Sequence, residues 1–197
     1  PAVPLHLGLA DDALSRDDAV FTKAPVRAVS LAALAVRPGD VVWDIGAGTG
    51  AVALEASLLN APGPVFAVER DPARHAHLAA NIQRTGALTV CPVLAAAPEG
   101  LGDLPDPDRV FVGGGLSGNP GLLPELCRRL APGGRLAVNA VLLGSLAGAL
   151  DVLTANGLET AVTQIQAARA MPLARDLRLA ADNPVFIVAA AKESEHG

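Results

Sequence analysis

The residues best able to do chemistry lie in the run Asp44-Ile45-Gly46-Ala47-Gly48-Thr49-Gly50, with Glu69 at the end of the next apolar segment. A loop so rich in glycine lets a ligand lie against bare backbone. Gly46, Gly48 and Ala51 satisfy the dinucleotide pattern G-x-G-x-x-G/A, and Glu69 stands where an acid would accept from ribose hydroxyls. The loop alone therefore fits more than one adenosine cofactor. Asp44 tilts the balance, because a carboxylate at the loop entrance is a poor neighbour for a pyrophosphate and a good one for an ammonium or a sulfonium. S-adenosylmethionine carries both cations. On this reading Asp44, the loop and Glu69 surround it, and the backbone at Ala97-Pro98 reaches the adenine edge.

These residues need a parallel sheet to position them. Val41 to Ile45 is a short apolar run with a turn-former before it and glycine after it, as a buried parallel strand should look. Further strands are expected at Val65 to Glu69, Leu88 to Val93, Arg109 to Val112 and Leu136 to Val141. They alternate with helical stretches from Thr49, Pro72, Pro120 and Ser145, and a helix over Lys23 to Ala35 comes first. Such alternation implies a Rossmann-like α/β fold: a mostly parallel seven-stranded sheet with helices on both faces. Ala161 to Ala167 and Val185 to Ala191 are strand-like but lack a crossover helix between them, so an antiparallel final pair is expected. Residues 1–197 read as one domain, with an irregular opening and a frayed tail from Lys192.

Composition excludes several classes. Hydrophobic residues make up 51% of the 197 and charged ones 18%, ample for a packed core. The formal charge of −5, the 3% aromatic content and the absence of tyrosine argue against a nucleic-acid binder. The apolar stretch Leu136 to Leu150 is too short to span a bilayer, which needs about 20 such residues. Cys91 and Cys127 form no metal or disulfide spacing and read as small core residues, so a reducing cytoplasm is the expected setting and no metal is expected. The chain begins at Pro1, as though excised from something longer.

The Asp44 to Gly50 loop, the acid after the second strand and Pro132-Gly133-Gly134-Arg135 before the fifth together resemble the class I methyltransferases. A narrower resemblance runs nearly the full length. Gly8-Leu9-Ala10-Asp11-Asp12, Thr22-Lys23-Ala24-Pro25-Val26-Arg27-Ala28, Ala97-Pro98-Glu99, Phe111-Val112-Gly113-Gly114-Gly115, Asn139-Ala140-Val141 and Asn183-Pro184-Val185 are similar to segments of the precorrin methyltransferases of cobalamin biosynthesis. Those act at carbon 15, as stand-alone enzymes or as the C-terminal half of fused C-5,C-15 enzymes.

The resemblance implies methyl transfer from S-adenosylmethionine to carbon 15 of a tetrapyrrole, with loss of carbon dioxide from the acetate arm at carbon 12. It implies cofactor contacts at Thr22, at Gly46, Ala47, Gly48, Thr49 and Gly50, and at Glu69 and Ala97. It places Lys23, Gly113, Gly114, Asn139, Arg169 and Arg175 toward the substrate, with Gly113-Gly114 leaving room for a wide, flat macrocycle. It further implies a homo-tetramer with contacts through the last two strands or their connection, and an N-terminal C-5 methyltransferase domain in the same polypeptide. Two departures stand out: Ala96 where relatives often carry an acid, and Leu142-Leu143-Gly144 where they often end the fifth strand with Glu. No catalytic side chain is assigned.

The remaining polar residues have plainer readings. His75 and His77 are two apart on one helix, cannot chelate together, and read as surface residues. His6 and His196 lie near the ends, and Asp11-Asp12 and Asp17-Asp18 read as solvated or capping acids. The rival readings are a class I methyltransferase acting on another small molecule or on RNA, and an adenosine-cofactor binding module without turnover.

Overall fold

The computed structural model describes residues 2–15, 21–116 and 118–194. Asp17, Asp18 and His196 lie outside them. Nine strands are described: β1 (Val42–Ile45), β2 (Val65–Glu69), β3 (Val90–Leu94), β4 (Arg109–Val112), β5 (Arg135–Ala140), β6 (Glu159–Ile165), β7 (Ala168–Leu173), β8 (Asp176–Ala181) and β9 (Val185–Ala191). The helices are α1 (Ala24–Leu34), α2 (Ala51–Asn60), α3 (Pro72–Thr85), α4 (Leu122–Arg129) and α5 (Leu143–Ala155). Seven strands form one sheet in the order β3-β2-β1-β4-β5-β9-β6, and β7-β8 stand apart as a hairpin. β1 to β5 pair in parallel, and β9 runs antiparallel between β5 and β6. The expected class, strand succession and antiparallel final pair are all present.

Because side chains alternate across a strand, each face of the sheet builds its own core. Trp43, Ile45, Val110 and Val112 pack with Leu122 and Leu126 of α4 and Leu153 of α5. Val42, Val65, Ala67 and Phe111 pack on the other face with Leu31 and Leu34 of α1, Leu54 of α2 and Leu78 of α3. Asp44 shares the Val42 face, which aims its carboxylate at α2.

Several details differ from the sequence reading, among them β3, which starts two residues after Leu88, and β6, which lies two residues earlier than Ala161 to Ala167. Helices α2 and α4 start two residues later than expected, and α5 two earlier. The hairpin was unforeseen because Pro172 sits inside β7, every residue of β7 is exposed, and its turn at Ala174-Arg175 lacks an Asn-Gly signal. Cys91 is only half-buried, being on β3 at the edge of the sheet, whereas Cys127 is buried on α4 as expected. His75 and His77 are half-buried, and His77 Nδ1 lies 2.8 Å from Ser15 Oγ.

The irregular N-terminal segment is fixed by a buried guanidinium. Arg27 donates from Nε to Glu55 Oε1 at 2.7 Å, from Nη1 to the Thr22 carbonyl at 2.8 Å and to Asp11 Oδ1 at 3.3 Å, and from Nη2 to the Leu9 carbonyl. Glu55 also accepts the backbone N–H groups of Gly8 and Leu9 at 3.1 and 2.9 Å. Asp11, expected as a solvated or capping acid, has a side chain only 7% exposed and accepts the Ala24 N–H at 2.9 Å, satisfying the first amide of α1 from outside the helix. Arg27 and Glu55 are each 1% exposed, so removing one partner strands a buried charge. Arg27→Met should cost about 3–5 kcal/mol in urea unfolding. Adding Glu55→Gln, which removes the orphaned charge and keeps an acceptor, should restore part of that loss.

Candidate active site

The strand order reverses between β1 and β4, and ligands of such sheets bind beyond the carboxyl ends of the strands at that point. The loop after β1 is tied down there: the N–H groups of Gly46 and Ala47 both donate to the Val68 carbonyl, at 2.9 and 3.0 Å. Gly46 has φ +72°, and an added Cβ would lie 3.5 Å from the Gly114 carbonyl oxygen, so the turns after β1 and β4 touch through bare backbone. Gly50 has φ +86° and would drive a Cβ to 2.4 Å from Leu78 Cδ1.

Two carboxylates sit at this turn and are used differently. Glu69 accepts the Gly48 N–H on Oε2 at 2.8 Å and the Asp71 N–H on Oε1 at 2.9 Å, holding the loop to the entry of α3. Each oxygen keeps a second acceptor direction. Asp44 accepts the Ala53 N–H on Oδ2 at 3.0 Å, while its buried Oδ1 has no hydrogen-bond partner in the protein. Burial pushes the Asp44 carboxyl up to about 7, against the pull of the Ala53 N–H and with a further push from the Glu69 charge.

A cavity of about 510 Å³ opens beside the turn. Of the residues expected at a cofactor, Thr22, Asp44, Gly46, Ala47, Gly48 and Thr49 line it; of those expected at a substrate, Lys23, Gly113 and Asn139 do. Gly50, Glu69, Ala97 and Gly114 are not part of this lining. The Ala97 carbonyl is taken by Asn119 Nδ2 at 2.7 Å. Arg169 and Arg175 are not brought together: Arg169 begins the hairpin beside Asp11 and Asp182, and Arg175 occupies its tip. The apolar wall includes Phe21, Val26, Phe111, Val141, Ile165 and Val185.

The sequence reading missed Asp182. It lines the cavity, pairs with Lys23 through Oδ1, and holds Oδ2 3.9 Å from Arg169 Nε. Arg169 Nη2 in turn donates to Asp11 Oδ2. The one sequence signal was its place before Asn183-Pro184, and nothing local marked it as facing Lys23, 159 residues away. Arg74, on the first turns of α3, also lines the cavity and was not anticipated.

Comparison with known proteins places the chain in a family. Residues 13–192 match the family model described as a precorrin methyltransferase domain. The chain is 38% identical over 186 residues to a probable cobalt-precorrin-6B C(15)-methyltransferase (decarboxylating) of Pyrobaculum calidifontis, covering 93% of this chain and 95% of that one. It is 39% identical over 149 residues to a precorrin-6Y C(5,15)-methyltransferase [decarboxylating] of Sinorhizobium, covering 76% of this chain but 36% of that protein. The crystal structure of a precorrin-6Y C5,15-methyltransferase from Geobacter metallireducens superposes with a TM-score of 0.91 at 38% identity, over 96% of this chain and 100% of that one. The chain belongs to the precorrin methyltransferase family.

Proposed function

We propose that this chain transfers a methyl group from S-adenosylmethionine to carbon 15 of a precorrin and releases carbon dioxide from the acetate arm at carbon 12. The observation that carries the reading is the unpaired, buried Asp44 Oδ1 at a cavity floored by the Gly46 to Thr49 turn. An acceptor oxygen without a donor fits a cationic ligand and opposes a pyrophosphate. When bound, S-adenosylmethionine supplies an electrophilic sulfonium methyl.

The chain's own contribution is mostly placement. Asp44 and the exposed backbone of Gly46 to Thr49 hold the cofactor. Glu69 keeps the loop in shape through Gly48 and offers its remaining acceptor directions to ribose hydroxyls. The aromatic and aliphatic wall excludes water and fixes the approach of an electron-rich carbon, which can supply much of the acceleration without a strong base. The macrocycle takes up the electron pair left as carbon dioxide departs. Gly113 brings bare backbone to the cavity wall, where an added Cβ would press on Phe111 Cε1 at 3.0 Å, and Lys23 in the cavity with Arg169 beside it meets the acceptor's carboxylates.

The Pyrobaculum relative, named for C-15 alone, is spanned almost entirely and the Sinorhizobium protein, named for both positions, by about a third of its length; that difference supports leaving C-5 methylation to a separate domain, although the Geobacter chain, also named for both, is spanned in full. A second copy of the chain is the proposed occupant of the hairpin face. That face carries Leu177 and Leu179, exposed opposite Pro172 and Ala170; Met171 and Leu173 are exposed on the other face of the hairpin, and Val162 on the edge strand β6 is exposed too. Such apolar exposure marks an interaction surface, and the proposed assembly is a tetramer. The expected setting remains the cytoplasm; no helix among the described residues is long and apolar enough to cross a membrane.

Incubated with the macrocycle and labelled S-adenosylmethionine, the chain should give a product that has gained one methyl and lost one carbon dioxide by mass spectrometry. Two methyl groups, or one methyl with the acetate arm intact, would overturn the proposal. Because the Asp44 carboxyl is pushed up to about 7, it is mostly neutral below that pH, and a cation must displace its proton to bind. Affinity for S-adenosylhomocysteine should therefore rise with pH by up to about tenfold per unit and level off above about 7. Calorimetry on Asp44→Asn should show weaker binding with that slope gone. Sedimentation at micromolar concentration should show an assembly that Leu177→Asp with Leu179→Asp reduces toward the 19.8 kDa chain.

A further inference from the structure

Asn139 lies near the C-terminal end of β5 and lines the cavity, and it is tied to a buried serine on α1. Ser30 is fully buried, with its Oγ 2.9 Å from the Val26 carbonyl oxygen and 3.0 Å from Asn139 Oδ1. A hydroxyl has one proton and can donate to only one of two acceptors. With the Asn139 oxygen toward Ser30, one of these short contacts sets lone pair against lone pair. A half-turn of the amide, which scarcely changes its shape, brings the NH₂ group to Ser30 instead. Ser30 then donates to Val26 and accepts from Asn139, and both contacts become hydrogen bonds.

We infer that Asn139 is held in this second orientation by Ser30, so that it presents a carbonyl oxygen, and no donor, to the cavity. The ligand beside it must then supply a hydrogen-bond donor. Position decides which ligand that is. Asn139 is on β5, two strands from β1 and its glycine turn, or about 10 Å across the sheet. The ribose-binding acid Glu69 lies on the opposite side of β1, on β2. Asn139 therefore belongs to the half of the cavity that receives the methyl acceptor. For the identity of that acceptor the inference rests on the function proposed above. A reduced tetrapyrrole carries ring N–H groups inside and carboxylates outside. A bare oxygen at Asn139 would accept from the former and repel the latter, while Lys23 across the cavity attracts carboxylates. Asn139 would thus set the orientation of the macrocycle, with Ser30 as the residue that positions it.

The test has two arms. In the full chain labelled with ¹⁵N-asparagine, the Asn139 side-chain amide protons should show nuclear Overhauser contacts to the Ser30 Hβ protons, and Ser30→Ala should shift the Asn139 amide resonances. Absence of those contacts overturns the orientation, whether or not the chain turns over a precorrin. In the second arm the macrocycle is titrated by absorbance, which needs no turnover. Asn139→Leu should weaken its binding about five- to tenfold, as expected for one lost hydrogen bond, and leave S-adenosylhomocysteine affinity unchanged. Ser30→Ala should weaken macrocycle binding in the same direction and leave S-adenosylhomocysteine affinity unchanged. If Asn139→Leu weakens S-adenosylhomocysteine instead, or neither ligand, the assignment to the acceptor is wrong. Failure of the methylation assay with both arms intact would count against the proposed reaction and not against this orientation.

Discussion

One buried guanidinium ties together the parts that surround the cavity. Arg27 satisfies carbonyls at Leu9 and Thr22 and two carboxylates, Asp11 and Glu55. Those partners belong to the N-terminal segment, the approach to α1, and α2. A planar fork with five donors can meet so many acceptors at once, and a lysine in its place could not reproduce the geometry. The consequence reaches the site in two ways. Thr22, whose carbonyl Arg27 holds, lines the cavity, and Asp11 carries the network outward to Arg169 at the foot of the hairpin. Desolvating these charges costs free energy, so the network is better understood as fixing where an otherwise irregular segment lies than as a source of stability.

The glycine turn poses a second electrostatic problem, because it brings two buried carboxylates close to each other. Glu69 is relieved by two backbone N–H groups, one on each oxygen. Asp44 has only one such donor and pays with a carboxyl pushed up to about 7. A site that leaves one acid under-solvated in this way is poised for a cation, whose arrival would lower the cost of ionising it. The asymmetry between the two acids follows from the sheet, since Asp44 points at α2 from a central strand while Glu69 ends β2 where the loop and α3 both offer N–H groups.

Much of this was readable from the sequence, for reasons that can be stated residue by residue. Val42 to Ile45 and Arg109 to Val112 are strands buried on both faces, so their largely apolar runs stood out. Asp44 to Gly50 marked itself because several glycines in one short loop have few structural explanations. The β7–β8 hairpin had no such mark: it buries no face, carries proline and arginine, and turns at Ala174, an alanine at φ +52°. Arg27 and Asp182 were hidden for another reason. Their partners lie 28 and 159 residues away, and a single sequence does not record which distant charges meet.

Net charge is the least informative of the sequence quantities for this site. A chain at −5 would repel a polyanionic acceptor at long range, yet Lys23 and Arg169 stand at the cavity and beside it. Both are already met by carboxylates of the chain, Lys23 by Asp182 and Arg169 by Asp11 with Asp182 nearby. Their far field is therefore largely cancelled, and over distances beyond roughly 10 Å salt would screen what remains. An anionic acceptor gains from them only on contact, when its carboxylates share or take over the donors that Asp182 and Asp11 now hold. Recognition in such a site depends on shape and on the direction of individual donors and acceptors rather than on steering. That is consistent with a wall built mostly of glycine and apolar side chains, in which each polar group carries directional information.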